Sequence, residues 1–188
     1  EDSVRFFGVL LRELAAGKPV AEEQLAKLMG WPLDELTATL KRTPGVEYDG
    51  DDHIVGYGLT LRETPHALEL DGHRLYTWCA LDALIFPTLL GKTAKVFSSC
   101  AATGAPVRLT VTPEAIRELE PPEAMVSLVC PDALENIRET FCCHVHFFAS
   151  ASVAEAWAST HKQAAVVSVE EAFQLGQELV NTLAAIHD

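Results

Sequence analysis

Residues 44–55, PGVEYDGDDHIV, place a glycine-containing turn between two short segments of strand-forming residues. This pattern predicts a β-hairpin with strands at 46–48 and 53–55, after a break in the chain at Pro44-Gly45. Upstream, apolar residues recur at helical spacing in three segments that glycine and proline separate from one another. Three helices followed by a hairpin predict a winged-helix-like module over residues 1–60.

A winged-helix shape often binds DNA, so its charge decides how the module is interpreted. The second and third predicted helices carry Lys27, Lys41 and Arg42 against four acidic residues. A recognition helix needs cationic contacts to phosphates and base edges. Because the charge here is balanced or of the wrong sign, we interpret the module as structural rather than as DNA-binding.

The composition is that of a globular protein with a strong acidic excess. Of 188 residues, 48% are hydrophobic, which allows a sizeable core. The net charge of −13 argues against partners such as nucleic acid or an anionic membrane. No apolar run approaches the roughly 18 to 20 residues of a membrane span, and no signal peptide is visible. The chain begins without methionine, so we expect that it has been trimmed.

The sequence of residues 61–188 predicts a mixed α/β domain with a mainly antiparallel sheet. Together with the N-terminal helices, this domain gives the chain a predicted α+β fold. Strands are predicted from apolar and β-branched runs, and helices from S-x-x-E capping boxes or an opening proline. The predicted strands cover 93–98, 106–112, 124–130, 143–149 and 166–167; the predicted helices run from Pro131-Asp132 to Thr140, from Ser152 and from Ser168.

Five cysteines carry most of the chemical information: Cys79, Cys100, Cys130, Cys142 and Cys143. An odd count in a chain with an ample core argues against a disulfide framework and favours a reducing, cytoplasmic location. In a reducing compartment a cysteine is either a buried apolar side chain or a thiol with a chemical function. Cys100 and Cys130, each at the end of a predicted strand with no acid well placed beside it, are interpreted as structural.

The segment Thr77–Pro87, TWCALDALIFP, has helical propensity until Pro87 disrupts it. On a helix, Cys79 and Asp82 share a face at spacing i, i+3. Apolar neighbours should raise the pKa of Asp82, and a partly protonated acid beside a thiol can deliver a proton near neutral pH. The competing interpretation, in which Cys79 is core filler and Asp82 faces solvent, is equally compatible with the spacing.

If the segment Phe141–Phe148, FCCHVHFF, lies on a strand, its alternate residues face opposite ways. Cys142, His144 and His146 then share one face, whereas Cys143 points toward the core. The pattern therefore favours Cys142 as the functional thiol. A zinc site would need about four ligands, and the C-x-x-C knuckle is absent. A strained vicinal disulfide and a thiol for a soft metal remain as alternatives, and ligand softness favours the second.

Several long motifs, in order, resemble the organomercurial (alkylmercury) lyases of bacterial mercury resistance. The first contains Cys79 and Asp82, the second begins at Cys100, and the third contains Cys142 and Cys143. The N-terminal part matches in layout more than in motif. The matching segments are LYTWCALD at 75–82 with IFP at 85–87, CAATGAP at 100–106, FCCHVHFFAS at 141–150, EAWAS at 155–159 and EAFQLGQE at 171–178.

The resemblance implies a catalytic domain at 61–188 that protonates the carbon–mercury bond of alkyl and aryl mercury compounds. It implies Cys79 and Cys142 as the catalytic thiols, Asp82 as the proton-transferring acid, and all three as candidate mercury ligands. Cys100 is implied to be structural and Cys143 accessory. The resemblance also implies that the enzyme needs no organic cofactor or resident metal.

Two partners follow from the same resemblance: exogenous thiols that help to remove Hg(II), and mercuric reductase, which accepts it. The rival hypothesis is a non-catalytic thiol-based mercury or metal sensor that uses the winged-helix-like module for DNA. The acidic charge and the position of Asp82 beside Cys79 count against this sensor.

Overall fold

The structure, a computed structural model, describes residues 2–130 and 136–185. The helices are α1 (Asp2–Leu14), α2 (Glu22–Met29), α3 (Leu33–Arg42), α4 (Ala80–Leu90), α5 (Ile137–Thr140), α6 (Ala151–Ala158) and α7 (Val169–Ala185). The strands are β1 (Glu47–Tyr48), β2 (Ile54–Tyr57), β3 (Leu59–Thr60), β4 (His66–Leu70), β5 (His73–Thr77), β6 (Ala94–Ser99), β7 (Pro106–Val111), β8 (Ile116–Glu120), β9 (Met125–Val129), β10 (Phe147–Phe148) and β11 (Ala164–Ser168). A 3-10 turn covers Cys142–His144.

The three helices and the hairpin predicted for the N-terminal part are confirmed. Helices α1 to α3 turn their apolar faces toward one another, and β1 pairs with β2 in an antiparallel hairpin. Gly30 ends α2 in the left-handed conformation, with φ of 69°, which glycine adopts without steric cost. The shared core of these elements contains Phe6, Leu10, Leu11, Leu14, Leu25, Met29, Leu36, Leu40 and Ile54.

The hairpin forms one edge of a long antiparallel sheet. The eight strands follow the order β1-β2-β3-β5-β4-β6-β7-β8, so the sheet continues from the winged-helix-like module into the following residues. On β7, Val107, Leu109 and Val111 are buried while Pro106 and Arg108 are exposed. This alternation is expected for a sheet with one face on a core. A second, three-stranded antiparallel sheet has the order β10-β9-β11.

Helix α4 lies between the large sheet and α7. Its side chains are apolar on almost every side, as expected for a helix that the core surrounds. The sequence predicts that Pro87 ends this helix, and that prediction is wrong: α4 continues through Pro87 to Leu90 and ends at Gly91. The proline costs the helix one N–H donor, but packing on both sides holds the last turn in place.

Two further predictions need correction. The strand predicted over 143–149 is reduced to Phe147–Phe148, because the chain before it closes into the 3-10 turn. Helix α6 is capped by Ser150, whose Oγ accepts from the Val153 N–H, and not by Ser152. The helix predicted from Pro131-Asp132 begins outside the described residues, and its end at Thr140 is confirmed.

The capping box at Ser168 is confirmed. The backbone N–H and the hydroxyl of Ser168 both donate to Glu171, and the Glu171 N–H donates back to Ser168 Oγ at 3.1 Å. These reciprocal bonds start α7 directly after β11. Among the described residues, no helix is both long enough and apolar enough to cross a membrane.

Candidate active site

Cys79 is positioned by the start of α4. It is the N-cap residue, with extended backbone angles, and its Sγ accepts a hydrogen bond from the Asp82 N–H at 3.4 Å. The Thr77 hydroxyl donates to the Cys79 carbonyl at 2.9 Å and anchors the entry to the helix. The residue has no solvent exposure, and this burial raises the pKa of its thiol well above the usual value, with the neighbouring Cys142 and Asp82 adding to the effect.

Asp82 lies one turn into α4 and keeps part of its surface open to a cavity. Burial among apolar neighbours raises its pKa to about 7, although hydrogen bonds from Cys79 act in the opposite direction. The apolar sequence around Asp82 predicts this shift. A carboxyl group with such a pKa is present in both protonation states near neutral pH, so it can accept a proton and release it.

Cys142 begins the 3-10 turn, 63 residues after Cys79 in the chain. Ser127 holds this region: its hydroxyl donates to the His144 carbonyl at 2.8 Å and accepts from the His146 N–H at 2.9 Å. The Ala80 N–H, at the start of α4, donates to the Val145 carbonyl at 3.2 Å. That bond ties the segment of the second thiol to the helix that bears the first.

These elements bring Cys79, Asp82 and Cys142 together. The two sulfur atoms and a carboxylate oxygen all lie within 4.8 Å of one another, and Cys142 Sγ is 4.0 Å from Asp82 Oδ2. The set contains two thiols and one acid, which is too few for a structural zinc site and matches the preference of a soft metal for sulfur. All five cysteines are free, so the vicinal disulfide considered from the sequence does not form.

A cavity of about 920 Å³ opens above Asp82 and Cys142. Many of its lining residues come from the winged-helix-like module, which the sequence predicts only as a structural unit. The aromatic lining side chains are Phe6, Phe7, Trp31, Tyr57, Trp78, Phe86 and Phe141. Local sequence carries no signal for this shared lining, because helices and hairpins distant in sequence create it.

Trp78, directly before Cys79, forms one wall of this cavity. Its indole N–H is buried and finds no hydrogen-bond partner within the part of the chain that the structure describes. The Arg138 guanidinium carbon lies 4.6 Å from the Trp78 ring centroid, and the Tyr57 ring meets Trp78 edge-on at 5.6 Å. Tyr76, the other aromatic residue close to Cys79 in the sequence, is not among the residues that line the cavity.

The remaining cysteines lie outside the cluster. Cys143 is exposed, so the predicted orientation toward the core is wrong: the 3-10 turn removes the alternation on which the strand argument depends. Cys130 is also exposed, just after β9. Cys100 is buried beside Phe148 and Ala154. Burial raises the pKa of Cys100, but hydrogen bonds from Thr103 and nearby backbone N–H groups outweigh it and leave the pKa below its usual value.

Comparison with known proteins agrees with this site. Residues 59–181 match the family model of alkylmercury lyase, and residues 3–58 match the helix-turn-helix domain of alkylmercury lyase. An alkylmercury lyase from Pseudomonas putida is 56% identical over 97% of this chain and 86% of its own. One from Staphylococcus epidermidis is 47% identical over 92% and 80%. The crystal structure of the mercury-bound form of MerB2 superimposes with a TM-score of 0.79, at 27% identity over 94% of this chain and 91% of that chain.

An α+β fold with a helix-turn-helix module, and two thiols beside a carboxyl under one cavity, defines a class of enzymes that act on a soft metal bound to carbon. Within that class, the chain belongs to the alkylmercury lyase family. It cleaves the carbon–mercury bond of organomercurial compounds, an activity of mercury resistance. The non-catalytic sensor considered from the sequence is not supported.

Proposed function

We propose that Cys79 and Cys142 bind the mercury of the substrate and that Asp82 moves the proton that replaces it on carbon. The observation that carries this assignment is the approach of two sulfur atoms and one carboxylate oxygen to within 4.8 Å. Cys142 and Asp82 face the cavity, and Cys79 lies buried in the same cluster. A substrate in the cavity can therefore contact Cys142 and Asp82 directly, and Cys79 lies within 4.8 Å of both.

The chemistry depends on the softness of mercury. Mercury(II) prefers thiolate to other protein ligands, and one thiolate is enough to hold R–Hg⁺ without breaking its carbon bond. A second thiolate donates further electron density, which makes the carbon a better proton acceptor. The balanced step is R–Hg⁺ + 2 Cys–SH → R–H + Hg(S–Cys)₂ + H⁺. One thiol proton leaves to solvent when the substrate binds, and the other is transferred to carbon.

Asp82 is suited to carry the second proton. Burial holds the pKa of the Cys79 thiol high, so a nearby base is needed to form the Cys79 thiolate. With a pKa of about 7, Asp82 can accept that proton and pass it to carbon. After the hydrocarbon leaves, the carboxylate can also contact the bound mercury as a third ligand.

The same proposal covers the cofactor requirement, the release of Hg(II), the roles of the two domains and the cellular location. The reaction needs no organic cofactor or resident metal, because thiols and acid supply every group in the balanced step. Exogenous thiols compete for the bound Hg(II) and release it, and mercuric reductase then accepts it. Residues 61–188 form the catalytic domain, and residues 1–60 form a module that lines part of the cavity rather than binding DNA. Cytoplasmic location and the absence of nucleic-acid and membrane partners fit five free thiols and a charge of −13.

The role of Asp82 is tested by Asp82→Asn, which keeps size and polarity but removes the exchangeable proton, with Asp82→Ala as a second variant. Both should still capture the organomercurial through the thiols. Hydrocarbon release should then slow by roughly 10²–10⁴-fold. Mass spectrometry follows the protein–Hg–R adduct, and gas chromatography follows methane or benzene. An Asn variant that captures and cleaves at the parent rate would remove Asp82 from the mechanism, and one that fails to capture would recast it as a ligand.

A further inference from the structure

Glu47 is a buried carboxylate that the proposed chemistry does not use. It lies on β1 with its side chain only 7% exposed, and the Thr60 hydroxyl donates to its Oε2 at 2.5 Å. A Cβ on Gly56 would stand 2.1 Å from that same oxygen, so glycine at this position leaves the space that the carboxylate fills. The hairpin thus contains a slot for one carboxylate.

Arg138 pairs with this carboxylate from a distant segment of the chain. Its Nη1 donates to Glu47 Oε1 at 2.6 Å, and 91 residues separate the two. Of the four ion pairs among the described residues, this one has the most buried acid; the other acids are between 28% and 55% exposed. A short charge-assisted bond to a carboxylate with little solvent around it is strong and directional.

The position of Arg138 connects both thiol-bearing segments. It lies on α5, which leads directly into the 3-10 turn: the Phe141 N–H donates to Ile137 and the His144 N–H donates to Phe141. Its guanidinium also covers the ring of Trp78, the residue before Cys79. One side chain therefore contacts the neighbour of the first thiol while it belongs to the segment that presents the second.

We propose that Glu47 is a positioning residue for the reaction: by fixing Arg138, it holds the turn of Cys142 opposite Cys79 and Asp82. The winged-helix-like module then contributes directly to catalysis, because its hairpin sets the distance between the two thiols. This inference rests on the role proposed above for Cys142 as the second mercury ligand.

Placement matters because only the second thiolate activates the carbon–mercury bond. Capture of R–Hg⁺ needs a single thiol and tolerates displacement of the other. Cleavage needs both sulfur atoms and Asp82 at once, and a displacement of about 1 Å can cost about 10²-fold in rate. Loss of the Glu47–Arg138 bond should therefore slow cleavage and leave capture intact.

The experiment measures active-site bursts of hydrocarbon for Glu47→Gln, for Arg138→Gln and for the double variant. Phenylmercury is supplied in excess without added thiol, so that bound mercury limits each site to one turnover. The burst amplitude counts intact sites, and the burst rate constant reports the chemical step. We expect the rate constant to fall about 10- to 100-fold in each single variant. The double variant should be no slower than the slower single variant, because both changes break one contact.

The exposed Arg74–Glu69 pair, at 3.2 Å, offers a matched control in Glu69→Gln, whose rate constant should equal that of the parent. Unchanged rate constants in both single variants would overturn the proposal, whether or not the amplitude falls, because a lower amplitude alone means only unfolded sites. Additive losses in the double variant would also overturn it. Cys142→Ser tests the assignment of the mercury ligands separately from the role of Glu47. If this variant cleaves at the parent rate, the mercury ligands themselves are misassigned.

Discussion

Two segments each supply one thiol, and they place it by different means. Cys79 is held by its own neighbourhood: it caps α4, accepts from the N–H three residues later and has no exposure. Cys142 lies on a 3-10 turn after a four-residue helix, and its surroundings come from Ser127, from α4 and from the hairpin at Glu47. One half of the site is therefore local in sequence, and the other half is a product of the tertiary fold.

The largest effect should come from removing either sulfur. We expect Cys79→Ser and Cys142→Ser each to abolish cleavage, a loss between about 10³- and 10⁶-fold, because a hydroxyl binds mercury poorly and cannot replace a thiolate. Circular dichroism should show that both variants keep the fold. Hydrocarbon release is the readout. Near-parental turnover in either variant would break the two-thiolate account and show that the two segments do not act as a pair.

The next effect is a pH dependence that both segments share. In the proposed mechanism, cleavage needs one proton on the pair formed by Asp82 and Cys79. Below about pH 7 this pair holds two protons, because the Asp82 pKa is about 7 and burial raises the pKa of the Cys79 thiol. The burst rate constant should therefore rise about tenfold per pH unit toward pH 7 and level off above it. Asp82→Asn should lack this rise; a parent rate constant that is flat or falls toward pH 7 would contradict the assignment.

A smaller effect, on stability rather than chemistry, is expected at Cys100. This thiol is 2% exposed and packs beside Phe148, outside the cluster of Cys79, Asp82 and Cys142. Replacing it by serine buries a hydroxyl in place of a small apolar group, which should cost on the order of 1–3 kcal/mol. Urea unfolding measures this cost and the burst rate constant measures the chemistry. A stable, inactive Cys100→Ser protein would show that the site extends to a third thiol.

The smallest effect is expected at Cys143, the neighbour of Cys142. Its side chain is exposed and outside the cluster, so Cys143→Ser should change the free energy of unfolding by less than about 0.5 kcal/mol. Cleavage should stay within about twofold of the parent rate. If Cys143→Ser were folded and inactive while Cys142→Ser retained activity, the assignment of the second thiol would have to be reversed.

The local half of the site could be predicted from the sequence. Spacing at i, i+3 and an apolar surround point to Cys79 and to an Asp82 carboxyl with a raised pKa, and the structure has both features. The three helices and the hairpin of the N-terminal module follow from leucine spacing and turn residues in the same way. These features depend on contacts within a few residues, which periodicity encodes.

The half of the site that contains Cys142 could not be predicted from the sequence, because its surroundings come from residues that are distant in the chain. Strand alternation favours Cys142, and the structure places that residue in the cluster, but the 3-10 turn makes the stated reason wrong. The pairing of Glu47 with Arg138 joins residues 91 apart, and no local pattern distinguishes either from an ordinary surface charge. The aromatic side chains that the N-terminal helices contribute to the cavity cannot be predicted from local sequence for the same reason.

X-ray absorption at the mercury edge tests most directly whether the local thiol and the distant thiol share one metal. It is applied to the protein after it has cleaved phenylmercury, or has been loaded with Hg(II), with excess metal removed. The account predicts two sulfur neighbours for the parent, for Cys143→Ser and for Cys130→Ser. It predicts one sulfur neighbour for Cys79→Ser and for Cys142→Ser. Two sulfur neighbours retained in Cys142→Ser, or a single one in the parent, would contradict it.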